Sequence, residues 1–287
     1  MKLGIETCWV RHFFGDEEAM RQIGQAGFDC VDYSFFNAPE TLDNHYAAYA
    51  RRMREVINGA GLVCDQAHAP FRFRYGAEMT PAEPTFCEIV RAMEAAAILG
   101  ARYIVVHSVL PPAEVDLIAY NLRFFKSLEP YCRQFGIQVG FENIFDYDPA
   151  GRCMGRFGTP ELVKAFLKAL QSPWFVACLD TGHAAIGGTK PEDFVRGLDA
   201  QTLRLLHVQD TDFADDRHQL PYMGLHDWNA FALALAEIGY TGSFTFEIPG
   251  YLRRMDKELV PAALAFAAAT GRHLIAKIGR AQEEMHR

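Results

Sequence analysis

Short β-branched or aromatic runs alternate with longer amphipathic segments from one end of this chain to the other, and that rhythm restricts the fold more than any other feature. The strand candidates are Leu3–Glu6, Cys30–Tyr33, Val63–His68, Tyr103–His107, Gln138–Glu142, Val176–Asp180, Leu205–Gln209 and Phe244–Glu247. Helical periodicity fills the intervals at Glu17–Gln25, Tyr46–Asn58, Pro84–Leu99, Ala119–Arg133, Pro160–Leu170 and Trp228–Ile238, and Val260–Ile278 follows the last strand. Gly27, Gly61, Gly100, Gly136 and Gly239 stand just past apolar-periodic segments, where a helix stops. Strands in strict alternation with helices argue for a parallel sheet covered by helices. Eight such units close into a (β/α)8 TIM barrel, and 287 residues suit one such α/β domain, residues 1–287, since barrels typically take about 250. An open doubly wound sheet is the alternative, but no G-x-G-x-x-G follows the first strand.

The polar residues fall at the ends of these strands. His68, His107, Glu142 and Asp180 end the third to sixth, His207 lies in the seventh and Glu247 ends the eighth. In a barrel those ends converge on one rim, where active sites are built. Crowded carboxylates without a counter-charge repel one another and stay partly protonated, whereas a bound cation removes that penalty. The set therefore points to a divalent metal held by Glu142, Asp180, His207 and Glu247. Three carboxylates with one imidazole form an oxygen-rich donor set, suited to Mn²⁺ first and to Mg²⁺, Co²⁺ or Zn²⁺ as alternatives.

Composition excludes several classes. With 28 basic and 36 acidic side chains, the net charge of −8 offers no general attraction for a phosphate backbone, so nucleic acid is not the expected partner. The start, Met1-Lys2-Leu3-Gly4-Ile5-Glu6, lacks the pattern of a signal peptide, and no apolar run approaches the roughly 20 residues of a membrane span. Seven cysteines without a C-x-x-C pair fit free thiols in a reducing cytoplasm.

At Val139-Gly140-Phe141-Glu142-Asn143, Cys178-Leu179-Asp180-Thr181-Gly182-His183, Leu206-His207-Val208-Gln209-Asp210 and Phe244-Thr245-Phe246-Glu247 the chain resembles the xylose isomerase-like TIM barrel superfamily, in particular its sugar phosphate isomerase/epimerase members. The segment Asp216-Arg217-His218-Gln219-Leu220-Pro221, followed by Gly224 and Asp227-Trp228, resembles the family's loop after the seventh strand. The resemblance implies one metal at Glu142, Asp180, His207 and Glu247, with Glu142 and Glu247 also carrying protons at the carbon beside a ketose carbonyl. It also implies substrate contacts from His183 and Arg217, with His68 and His107 nearby, a sugar or sugar phosphate as partner, and a homodimer as a common assembly. Relatives carry a glycine where Tyr222 stands, which puts a ring near the expected mouth.

Two other chemistries stay open. The apurinic endonuclease branch holds three zinc ions with nine ligands, and His68, His107, Glu142, Asp180, His183, His207, Asp216, His218 and Glu247 occupy the matching positions. An inosose dehydratase-like lyase would use a similar metal site to expel a β-hydroxyl. The stretch Phe71-Arg72-Phe73-Arg74-Tyr75 reads as a pocket wall or a nucleic-acid contact. Trp9, Phe13, Phe14, Phe35, Phe36 and Phe71 read as a sugar-stacking surface or as core, and Arg253 and Arg254 as a phosphate contact or a solvated helix start.

Overall fold

The computed structural model describes residues 1–36, 43–71, 83–110, 115–147, 153–285 and 287. In chain order the elements are β1 (Leu3–Glu6), α1 (Cys8–Phe14), α2 (Asp16–Ala26), β2 (Cys30–Ser34), α3 (Tyr46–Gly59), β3 (Val63–His68), α4 (Pro84–Leu99), β4 (Tyr103–His107), α5 (Leu117–Phe135) and β5 (Gln138–Glu142). A hairpin follows, β6 (Ile144–Tyr147) and β7 (Cys153–Arg156), then α6 (Pro160–Leu170), β8 (Phe175–Asp180), α7 (Thr181–Ile186), α8 (Pro191–Gly197) and β9 (Leu203–His207). The chain ends with α9 (Trp228–Glu237), β10 (Phe244–Phe246), α10 (Pro249–Leu252) and α11 (Val260–Met285).

Eight strands run parallel in the order β10-β1-β2-β3-β4-β5-β8-β9. The bridge Val208↔Phe246 then joins the last strand to the first, closing a single (β/α)8 barrel. The eight strands expected from sequence are all present, with edges moved by one or two residues. The hairpin β6–β7 and the short helices α1, α7, α8 and α10 were not legible, because each is too brief to establish a period.

Side-chain parity along the strands separates two cores. Ile104 and Val106 of β4, Val139 and Phe141 of β5, and Ala177 and Leu179 of β8 belong to the large core under the helices. Tyr103, Val105, Val176, Cys178 and Leu205 form a separate cluster. Two residues further along each strand, on the same parity, stand His107, Asp180 and His207. The barrel interior is thus apolar below and polar at its C-terminal mouth. Gly140 fits this packing, since a Cβ there would lie 3.0 Å from Leu205 Cδ1.

The outer layer is fixed by local signals. Asp116 caps α5 by accepting from Ala119 N at 2.7 Å, and Asp227 caps α9 by accepting from Asn229 N and Ala230 N at 3.0 Å, each worth about 1 kcal/mol. Gly27, Gly100 and Gly136 end their helices with φ of 97°, 99° and 66°, a region costly for other residues. Phe125, Phe141, Phe157 and Phe166 interlock, with the Phe141 and Phe166 ring centroids 4.4 Å apart, and truncating one to alanine should cost about 3–5 kcal/mol. By length and mean composition alone the span Lys257–Met285 could cross a membrane, although Arg272, His273 and Lys277 interrupt it. In the barrel its stripe of Val260, Leu264, Ala267, Leu274 and Ile278 is buried, and α11 packs on α2 and α9.

Candidate active site

Six strand ends, helix α7 and the loop after β9 bring the candidate residues together at the mouth. Glu142, Asp180, His207 and Glu247 offer ligand atoms within 4.8 Å of one another, and all four are buried. Asn143 clamps two of the strands: its Nδ2 donates to Asp180 O at 3.0 Å, and Asp180 N donates to its Oδ1 at 2.8 Å. Asp180 in turn caps α7, accepting from His183 N at 2.7 Å, which sets His183 one turn away.

The histidines reveal what the site is built to bind. His207 Nε2 donates to Asp32 Oδ2 at 2.8 Å, so its Nδ1 lone pair faces Glu142 Oε1 at 3.0 Å and Glu247 Oε2 at 3.4 Å. His68 Nδ1 meets Ala69 O at 2.8 Å, His183 Nδ1 meets Asn143 O at 2.9 Å and His218 Nδ1 meets Glu247 O at 3.0 Å. A carbonyl only accepts, so these Nδ1 atoms carry the proton and each Nε2 presents a lone pair. The His68 lone pair faces His107 Nε2 at 3.0 Å, a nitrogen that can donate, whereas those of His183 and His218 face Asp216 Oδ2, an acceptor, at 3.6 Å and 2.8 Å. Acceptors opposed to acceptors are stable only with a proton or a cation between them. An imidazole held on one nitrogen by a carboxylate or carbonyl is the usual support of a metal-binding histidine.

The titration behaviour expresses the same demand. Burial alone would lower the pKa of His207, but Glu247, Glu142 and Asp32 hold it well above the ordinary value. Burial is likewise outweighed at His218, which Asp216 and Glu247 lift to about 10, and at His183, which Asp180 and Asp216 hold well above normal. Burial raises Asp180 to about 7 against the pull of His183 and His218. Glu142 moves the other way: burial would raise it, but His207 and His107 hold it well below the carboxylate range. Its buried Oε2 has no aligned hydrogen bond, although His107 Nε2 lies 3.0 Å away. That orphaned oxygen, with the oxygen-rich donor set, fits a divalent cation.

Three further groupings surround the four central residues: His68 with His107 and Glu142, His68 with His207 and Glu247, and His183 with Asp216 and His218. Arg217 lies apart from them. Its guanidinium is half exposed and pairs with Asp212 at 2.7 Å and Asp215 at 3.4 Å, outside the cavity lining. The Tyr222 ring also leaves the mouth, resting on Trp228 and His273 with Lys277 above it. Of the aromatic candidates, Trp9, Phe36 and Phe71 line the cavity, whereas Phe35 is buried in the core. Arg72, Phe73, Arg74 and Tyr75 lie outside the described residues. The cavity, about 510 Å³, also takes in Ser108, Arg156 and Arg253.

Sequence reasoning passed over two carboxylates. Asp32 is fully buried on β2 and accepts from both His207 and Gln66 Nε2, the latter at 2.7 Å. Glu6, at the end of β1, accepts from Ser34 Oγ and Cys8 N, and burial beside Glu247 raises its pKa well above normal. Both carried a signal, being acidic residues on the inward parity of an otherwise apolar strand.

The family model described as xylose isomerase-like TIM barrel matches residues 20–270. The chain belongs to that family. A curated relative, an uncharacterized protein of Sinorhizobium fredii, is 22% identical over 87% of this chain and 89% of its own length. Among solved structures, a D-tagatose 3-epimerase-like protein aligns over 100% of both chains with 20% identity and a TM-score of 0.74. D-psicose 3-epimerase, crystallised in the presence of D-fructose, aligns over 96% of this chain and 99% of its own with 18% identity and a TM-score of 0.73. The IOLI protein with a binding zinc atom aligns over 97% and 98% with 17% identity and a TM-score of 0.71. At these identities the likeness is one of fold.

Proposed function

We propose that this family member is a metal-dependent isomerase or epimerase of a ketose or ketose phosphate, with Glu142 and Glu247 as its proton-transfer residues. The observation that carries the reading is the buried group of Glu142, Asp180, His207 and Glu247 at the barrel mouth, with ligand atoms within 4.8 Å of one another and Glu142 Oε2 without an aligned hydrogen bond among the described residues. The sugar epimerases among the fold neighbours support the substrate class.

Those four residues would hold the divalent ion, Mn²⁺ being the first candidate by donor type. When bound, it supplies positive charge against the negative charge that develops on the substrate oxygens. Glu142, kept ionised by His207 and His107, removes the proton beside the carbonyl. Glu247 returns a proton from the other side, to the opposite face in an epimerase. His107 and His183, which line the cavity, hold substrate oxygens, and His68 fixes His107 from behind. Trp9, Phe36 and Phe71 present the apolar wall on which a sugar face stacks and water is excluded. The test is exchange of the proton beside the carbonyl for deuterium, followed by NMR with a panel of ketoses and Mn²⁺. Wild type should exchange at least one ketose and Glu247→Gln none; exchange by Glu247→Gln at the wild-type rate would sink the two-glutamate scheme.

A second reading has its own support. The groupings of His68, His107 and Glu142, and of His183, Asp216 and His218, stand on the nine positions that a trinuclear zinc phosphodiesterase would use. The net charge of −8 weighs against a polyanionic substrate. Metal content separates the two: about one equivalent per chain supports the sugar enzyme, and near three of zinc supports the phosphodiesterase. His107→Asn should leave the first figure unchanged and lower the second.

A further inference from the structure

The hairpin β6–β7 leaves the barrel directly after Glu142 and Asn143 and pairs Ile144 with Arg156, so its last residue returns to the mouth. Its base is held tightly: a Cβ on Gly155 would lie 2.7 Å from Gly187 Cα, at the end of α7. Arg156 is therefore placed by packed backbone. Its side chain is only 12% exposed; one terminal nitrogen donates to Ser108 O at 3.0 Å and the other to Asp146 Oδ2 at 3.2 Å. Its Nε is buried with no partner among the described residues, and so is the Ser108 Oγ. Ser108 is itself 2% exposed and follows His107 in the chain.

Two buried donors without acceptors each carry a cost of about 1–3 kcal/mol unless something meets them. Both residues line the cavity that the metal-site residues open into, and much of the remaining wall is apolar: Trp9, Phe36, Phe71, Leu110 and Phe145. The charge is under-compensated as well. Burial lowers the Arg156 pKa from its ordinary value despite Asp146, whose carboxylate is 36% exposed. Arg253 lines the same cavity and has no ion pair among the described residues. The acidic groups of the lining are engaged elsewhere, Asp216 with His218 and Glu247 with His207.

We propose that Ser108 and Arg156, assisted by Arg253, form an anion subsite that holds a phosphate or carboxylate borne by the sugar, so that the substrate is an anionic ketose. This rests on the isomerase or epimerase reading of the neighbouring glutamates. The guanidinium supplies the charge and a fixed donor direction, and the serine hydroxyl a second donor, as planar or tetrahedral oxyanions require.

The test uses full-length, Mn²⁺-loaded protein with D-fructose, D-fructose 6-phosphate and D-fructuronate, measuring Kd by calorimetry. One anionic ketose should bind at least about tenfold tighter than fructose, and which one identifies phosphate or carboxylate as the group read. Arg156→Gln and Ser108→Ala should each shrink that preference, the arginine change to within about threefold. Because Arg156 also ties the hairpin to Ser108, thermal melts accompany both variants, and Ser108→Ala and Arg253→Gln carry the test if Arg156→Gln does not fold. Equal binding of all three ketoses by wild type, or equal weakening of all three by well-folded variants, would overturn the subsite. Deuterium exchange on the same ketoses separates the two claims. An anion preference without exchange keeps the subsite and defeats the proton-transfer reading, whereas exchange of fructose without preference does the reverse.

Discussion

Two histidine groups flank the central ligands, alike in composition and different in construction. His68, His107 and Glu142 all sit at strand ends, and Glu142 is shared with the central four. On the other side His183 opens α7, while Asp216 and His218 come from the loop after β9, with an aspartate of their own. The consequence is visible in their protons. Burial lowers the pKa of His107, because Glu142 divides its charge among several partners. Burial fails to lower His218, where Asp216 is close and Glu247 adds to it. His107 thus stands ready for a cation, whereas His218 holds a proton, as does His68, which Glu142 and Glu247 raise against burial.

The largest expected effect comes from the shared residue. Glu142→Gln removes a ligand from the centre and from the strand-built group, and should slow deuterium exchange by about 10³-fold or more while the barrel still melts cooperatively. Asp216→Asn removes a ligand from the loop-built group alone, reaching the centre indirectly through Gln209, and should cost under about tenfold. Equal losses from the two would show that the groups act as one unit.

Asp32→Asn comes next. The amide oxygen of that variant could still meet His207, but the carboxylate that orients the ring and raises its basicity would be gone. Metal affinity should fall about 10–100-fold, read by competition with a chelator, with exchange restored at saturating Mn²⁺. Unchanged affinity would mean that β2 merely packs against the site.

The proton difference predicts a pH difference. At pH 7 the loop-built group holds protons that a cation must displace, so its affinity should climb as pH rises toward about 10, by about tenfold per unit for each proton released. In the strand-built group only His68, raised by Glu142 and Glu247 against burial, adds to that climb, while His107, below its ordinary value, releases no proton near neutrality. For the metal-free fold the sign is the opposite: the raised His218 pKa stabilises below the unfolded value of about 6.5, and that gain is lost as pH rises through about 10. Calorimetry in buffers of different ionisation enthalpy counts the released protons, and zero release at pH 7 would contradict the assignment.

The same division explains what could be read in the sequence. Strand ends announce themselves: an apolar run of fixed parity that stops at His107, Glu142 or Asp180 places that residue at the rim through the pleat alone. Asp32 and Glu6 were as legible by parity, but neither stands in a stretch that resembles the family, and a lone inward carboxylate carries less signal than a motif. Arg156 and Ser108 had no such warning, since a four-residue hairpin strand and a loop serine carry no period. Arg217 shows the converse: the motif places it in the right loop, yet Asp212 and Asp215 in that loop claim its guanidinium. Motifs place backbone; competition among nearby charges decides where a long side chain ends.

That loop is also where the backbone is strained, which gives the smallest and most local prediction. Phe213, His218 and Tyr222 all have positive φ, at 65°, 46° and 75°, whereas no residue of the strand-built group does. For Tyr222 the left-handed conformation costs about 1–2 kcal/mol relative to glycine. Asp210 meets that cost by gathering the loop: its carboxylate accepts from the amides of Thr211, Tyr222 and His226 and from Trp228 Nε1 at 2.8 Å. Tyr222→Gly and Tyr222→Ala lose the same ring contacts with Trp228 and His273, but only glycine relieves the strain. The glycine variant should therefore be more stable than the alanine variant by about 1 kcal/mol in urea denaturation, against its own greater unfolded-state entropy. Because the ring lies outside the cavity, ketose Kd should be the same in both. A higher stability for alanine would place the loop's cost elsewhere, and His218 would then be the residue whose positive φ the Asp210 network holds.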